Sequence, residues 1–160
     1  FDKNPEFYIY NIGKCIYTNK NYNGDVLDKE SNITSYNLDY SIYNKSPFYT
    51  VELDQYILDK YEININTMVK IKKLMKSVCT AIKPYLYKSD NLKNQITFQL
   101  FGCDIILDNN FNPYILEFNK GPDMKYKSDK DLQLKYKLNL DMYNKLNLIY
   151  CNNNNFTLLI

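Results

Sequence analysis

The clearest periodic signal in the chain is Met68, Ile71, Met75, Val78 and Ile82, apolar positions at three- and four-residue steps that predict an amphipathic helix. Asn66 or Thr67 can cap its start, and Pro84 marks its end. A second helix is predicted from Ser128 to about Leu148. Ser128-x-x-Asp131 resembles a capping box with Asp in place of Glu. Leu132, Tyr136, Leu140 and Tyr143 form one stripe on it and Leu134, Leu138 and Met142 a second, so packing on two sides is expected. Val51 to Lys60 reads as a shorter helix.

Elsewhere the pattern is that of strands. Glu6–Tyr10 and Lys14–Thr18 are β-prone runs, and Asn11-Ile12-Gly13 between them predicts a hairpin turn. Residues 19–50 are polar and irregular, with a turn at Asn23-Gly24. Ile96–Phe101 is expected to begin a sheet, with Gly102 allowing a bulge or a close backbone approach. The polar stretch Asp108–Pro113 then separates two short apolar runs and would close an antiparallel hairpin. Asn152–Asn155 is low in complexity, so residues 151–160 are expected to fray. This order of elements gives an α+β fold, an antiparallel sheet with packed helices, in a single domain over 1–160.

The second hairpin carries the candidate chemistry. Glu117 and Asn119 lie two apart and share a strand face. A symmetric turn sets 107 opposite 114 and 104 opposite 117, bringing Asp104 beside Glu117. Two carboxylates across a ladder repel. A bound cation reverses the sign, and two carboxylates with an amide oxygen suit Mg²⁺ completed by water and phosphate. The same spacing also fits acids on a solvated face, and at this level both readings stand. The lysines 70, 72, 73 and 76 on the first helix similarly fit a phosphate site or, more simply, a solvated helix face.

Composition narrows the chemistry. The 160 residues are 45% apolar and 24% charged, with a net charge of +2 that argues for neither nucleic acid nor an anionic membrane as partner. No apolar run approaches the ~20 residues of a membrane span, and no signal peptide is visible. The chain begins at Phe1, as expected of a processed or truncated product. Cys15, Cys79, Cys103 and Cys151 are scattered, which favours reduced thiols in a cytoplasmic setting. All 20 basic residues are Lys, and His is absent. That excludes a Ser-His-Asp triad, a Cys-His pair or a His-ligated metal within this chain, along with bidentate Arg clamps.

The run Phe98-Gln99-Leu100-Phe101-Gly102-Cys103-Asp104, followed after the turn by Leu116-Glu117-Phe118-Asn119-Lys120-Gly121-Pro122, resembles the signature of the tubulin–tyrosine ligase family, within the ATP-grasp superfamily. Tyr8-Ile9-Tyr10 with Gly13 looks like the strand pair before the family's basic motif, and Asn32-Ile33-Thr34-Ser35 like a weakened form of its H-L-T-N motif. The Met68–Tyr85 helix is similar to the helix before the signature. The resemblance implies part of an ATP-grasp domain in an ATP-dependent carboxylate–amine ligase. Such an enzyme activates a protein carboxylate, usually on tubulin, as an acyl phosphate and joins it to an amino acid. By resemblance Asp104, Glu117 and Asn119 would hold Mg²⁺, Thr34 would lie near the nucleotide, and Leu116 would form part of the adenine floor. The chain departs from the pattern at Asn32, Ser35, Tyr40 and Ile16, where the family has His, Asn, Lys and Arg. The family's nucleotide-clamping lysines lie upstream of the matched region. A non-catalytic remnant or binding module that keeps the fold is therefore the alternative expectation.

Overall fold

The computed structural model describes residues 5–34, 36–86 and 96–160, and these divide into two compact units. One comprises residues 1–11 and 66–160, the other 12–65, where the sequence pattern suggested one domain.

The larger unit contains β1 (Tyr8–Tyr10), α3 (Thr67–Ile82), β2 (Gly102–Leu107), β3 (Pro113–Asn119), α4 (Asp129–Lys145) and β4 (Phe156–Leu158). The smaller contains α1 (Lys29–Asn32) and α2 (Leu53–Tyr61), with 3₁₀ turns at Tyr40–Asn44 and Thr50–Glu52. Two-stranded antiparallel sheets, β1 with β4 and β2 with β3, accompany the helices, so the fold is α+β as expected.

Helix α3 starts where Asn66 accepts the Val69 amide, 3.0 Å away, and passes into a 3₁₀ turn at Lys83–Tyr85 that contains Pro84. Its apolar stripe buries Ile71 and Cys79. Ser128 caps α4 by accepting from the Asp131 amide. The two expected stripes on α4 are covered unequally: Leu134, Leu138 and Met142 are half-buried, whereas in the other stripe Leu140 is half-buried and Leu132, Tyr136 and Tyr143 are exposed.

The first predicted hairpin does not form. β1 pairs instead with β4, Tyr8 opposite Leu158 and Tyr10 opposite Phe156, while Lys14 bridges to Tyr49. Long-range partners win over the local turn on both sides. The Asn11 amide donates to Asn155 O at 2.9 Å and its side chain accepts from the Thr157 hydroxyl at 2.9 Å. Gly13 lies against Thr50, donating to its hydroxyl at 2.8 Å, and a Cβ there would meet the Thr50 methyl at 3.0 Å.

The expected fray of 151–160 is corrected by the same pairing. Asp141 on α4 is fully buried and accepts from the Lys137 ammonium at 2.6 Å, the Asn155 side-chain amide at 2.8 Å and the Tyr10 hydroxyl at 3.1 Å. Asn154 donates to the Asp141 carbonyl at 2.7 Å. Two asparagines of what looks like a disordered tail thus bond Asp141, Asn155 at its buried carboxylate and Asn154 at its backbone carbonyl, and they seat β4. The strand expected at Ile96–Phe101 is absent; that segment is exposed, except for a half-buried Leu100, and irregular.

In the smaller unit Phe48 and Ile57 are buried. Tyr43 and Tyr49 pack on Phe48 with ring centroids 4.8 and 5.0 Å away, and Tyr17 packs edge-on to Tyr43 at 5.7 Å. Burying Phe48 contributes about 2–3 kcal/mol by transfer alone. Residues 19–50 are not wholly irregular: Asp28 caps α1 by accepting the Glu30 amide, and Asp39 caps the Tyr40–Asn44 turn through Ser41.

Candidate functional site

The β2–β3 hairpin presents two faces. Cys103, Ile105, Leu107 and Ile115 are half-covered on the side of α3, where the Cys103 sulfur lies 3.8 Å from that of Met75. The other face carries Asp104, Ile106, Tyr114, Leu116 and Glu117, all exposed. Asp104 pairs with Glu117 and Gly102 with Asn119, as symmetry of the turn predicts at that end. Nearer the turn the register shifts by one, so that Ile105 opposes Ile115 and Leu107 opposes Pro113. The shift is a β-bulge with Leu116 as the extra residue. It turns Leu116 and Glu117 toward the same side. Of the two expectations for Gly102, a bulge or a close approach, the second holds: the strand is regular there, and the glycine admits a close neighbour. A Cβ on Gly102 would meet the Pro122 Cβ at 3.1 Å and the Asn119 Cβ at 3.6 Å.

Asp104 and Glu117 therefore face each other across the ladder. Partial burial first, then the charge of Glu117 and a hydrogen bond with it, raise the Asp104 carboxyl above its ordinary range. The Asn119 amide nitrogen donates to Glu117 Oε1 at 3.1 Å, which leaves its oxygen as the end able to join a cation. Among the described residues no lysine forms an ion pair with either acid. No three His, Cys, Asp or Glu side chains converge there either, so the donor set is two carboxylates and one amide. Such a set fits a hard divalent ion that takes its remaining ligands from water or phosphate. Neighbouring Cys103 is no competitor for the ion: it faces α3, and burial pushes its thiol up to about 11. The four cysteines are free thiols.

The structure thus brings Asp104, Glu117, Asn119 and Leu116 onto one hairpin. Thr34 is exposed and belongs to the smaller unit, just past α1; Ser35 lies outside the described residues. Asn32, where the family pattern has His, donates to the carbonyls of Asp25 and Asp28 at 2.6 and 2.7 Å. Sequence reasoning missed the work of Lys70. Its ammonium reaches the Asn110 and Phe111 carbonyls, each at 3.3 Å, and Asn112 Oδ1 at 3.1 Å, all in the β2–β3 turn. Lys72 likewise donates to the Thr157 hydroxyl at 3.3 Å. Neither belongs to a solvated lysine face. Position 70 on the covered flank of α3, beside Ile71, was the available signal.

A helix-backed hairpin whose open face opposes two acids beside an amide is compatible with a hard divalent cation. The model of the Tubulin-tyrosine ligase family matches residues 4–155, and the chain belongs to that family. It is 30% identical over 87 residues to "Probable tubulin polyglutamylase ttll-9" of Caenorhabditis elegans, covering 53% of this chain and 21% of that protein. It is 31% identical over 86 residues to "Probable beta-tubulin polyglutamylase" of Tetrahymena thermophila, covering 49% and 7%. A 33-residue stretch is 46% identical to "Tubulin glycylase 3D" of the same organism, covering 21% and 3%. The matched regions span about a fifth or less of these relatives' lengths.

Proposed function

We propose that this chain forms the cation-binding part of an ATP-dependent carboxylate–amine ligase that adds an amino acid to a protein carboxylate, with tubulin as the acceptor. The observation that carries the reading is the opposed Asp104–Glu117 pair with Asn119 beside it, with no lysine partner among the described residues. In this assignment Asp104, Glu117 and Asn119 hold Mg²⁺, Leu116 lies under the adenine and Thr34 near the nucleotide. Bound Mg²⁺ offsets charge on the phosphate oxygens. The acceptor carboxylate takes the terminal phosphoryl group as ADP leaves. The amino acid nitrogen then attacks the acyl carbon, and inorganic phosphate departs. In this assignment the residues of the chain orient the ion. Family membership and relatives named as tubulin polyglutamylases and a glycylase support the acceptor class. No helix of the described residues is long and apolar enough to cross a membrane, in keeping with a cytoplasmic enzyme.

The test is Glu117→Gln in the longest native form of the protein. Amino acid incorporation into tubulin is expected to fall at least ~10³-fold. Unchanged incorporation overturns the assignment.

A second reading is favoured by the absence of Arg and by Asn32, whose amide is already committed to backbone carbonyls. Under it the chain is a binding module without turnover. Mg²⁺·ATP binding by the chain, with no incorporation by any longer form, separates this reading from the first.

A further inference from the structure

We propose that Lys70 is a positioning residue: by holding the β2–β3 turn it selects the bulged register of the hairpin, and so decides which side chains share the open face with the acid pair. A plain hairpin would carry the Asp104–Glu117 register through to the turn. Ile105 would then oppose Leu116, and Leu107 would oppose Tyr114. The acid pair would survive, but Tyr114 and Leu116 would turn toward α3 and Ile115 toward solvent. In the observed register Tyr114 and Leu116 are 56% and 64% exposed. Burial alone favours the plain register, because it takes two large apolar side chains from water in exchange for Ile115 and Pro113.

What opposes burial lies at the turn. Asp108 N donates to Asn112 O at 3.0 Å, and the Asp108 carboxylate accepts the Asn110 and Asn112 amides at 2.9 and 2.7 Å. Phe111 adopts a left-handed φ of 56°, a conformation that a non-glycine residue holds only when its surroundings fix it. Those bonds are internal and shape the loop as a five-residue connection from 108 to 112. Lys70 comes from α3, outside the loop, and places its three donors on three acceptors that converge only in that shape. Adding Pro113 to the loop, as the plain register requires, disperses them. With the turn fixed, the odd residue is absorbed at Leu116, and Asp104 still meets Glu117.

The register assignment stands apart from the ligase reading; its consequence for nucleotide binding rests on that reading, through Leu116. The test is NMR of the full chain as wild type, Lys70→Met and Lys70→Arg. Wild type is expected to give cross-strand contacts between Ile106 and Tyr114, and a Lys70 ammonium protected from exchange. Lys70→Met is expected to replace the first with Leu107–Tyr114 contacts, and Lys70→Arg to restore them. Mn²⁺ affinity should stay within twofold in Lys70→Met, while affinity for a non-hydrolysable ATP analogue falls ~10-fold, a split that general destabilisation does not produce. Ile106–Tyr114 contacts that persist in Lys70→Met overturn the proposal. So does a rapidly exchanging Lys70 ammonium in wild type, which needs no variant to fold. Correct register with no binding of the ATP analogue by wild type would sink the nucleotide reading alone.

Discussion

Two carboxylate centres in the larger unit differ in how they are treated. Asp141 is buried, and although burial alone would push its carboxyl up, hydrogen bonds from Lys137, Asn155 and Tyr10 hold it below its ordinary value. Asp104 is exposed, meets another acid, and is raised. The first centre is satisfied by protein donors on β1, on α4 and just before β4, and its role is complete within the fold. The second has no lysine partner among the described residues, and its contacts are the Asp104–Glu117 hydrogen bond and the Asn119 amide. The contrast lies in partners rather than in residue type, and it is the ground on which the proposed function puts a cation at the second centre.

The largest change should come from breaking the satisfied centre. Asp141→Ala leaves the Lys137 ammonium and the donors of Tyr10 and Asn155 unpaired, and is expected to cost about 3 kcal/mol in urea unfolding. Added Mg²⁺ should not recover it.

Next comes the effect of the ion on the second centre. Millimolar Mg²⁺ is expected to raise the wild-type melting temperature by several degrees and to leave Glu117→Gln unmoved. Equal shifts in both would remove the cation from the hairpin.

The smallest effect sharpens the comparison through pH. A depressed carboxyl contributes stability that is present above its unfolded value of about 3.8 and lost as pH falls through its folded value. A raised carboxyl does the reverse: its native state holds the proton more tightly, so stability falls as pH rises from 3.8 through the raised value. Asp104→Asn in chelator should therefore melt ~1–2 °C higher than wild type at pH 7, with the gain vanishing near pH 3. A lower melting temperature at pH 7 would mean that the pair is not repulsive.

The parts legible in the sequence were those set by local chemistry. Asn66 and Ser128 announce α3 and α4, and the two-residue spacing of Glu117 and Asn119 puts them on one face of β3, with Asp104 opposite Glu117 as a symmetric turn predicts. What escaped was long-range. Asn11-Ile12-Gly13 has the composition of a hairpin turn, but β1 finds its partner at the far end of the chain, and no local pattern marks Asn154 and Asn155 as ligands of a buried Asp. The bulge at Leu116 was also hidden, because it depends on a helix residue gripping a turn some 40 positions away.

The β1–β4 ribbon carries a kinetic consequence. Tyr8 waits for Leu158, so the larger unit cannot close until residue 158 has been made, some 150 positions later. Closing so long a loop is slow relative to forming α3 or the β2–β3 hairpin. On the ribosome, the acid-bearing hairpin should thus take shape while the first strand is still unpaired, and joining of the two ends should be the step that commits the unit to its native state.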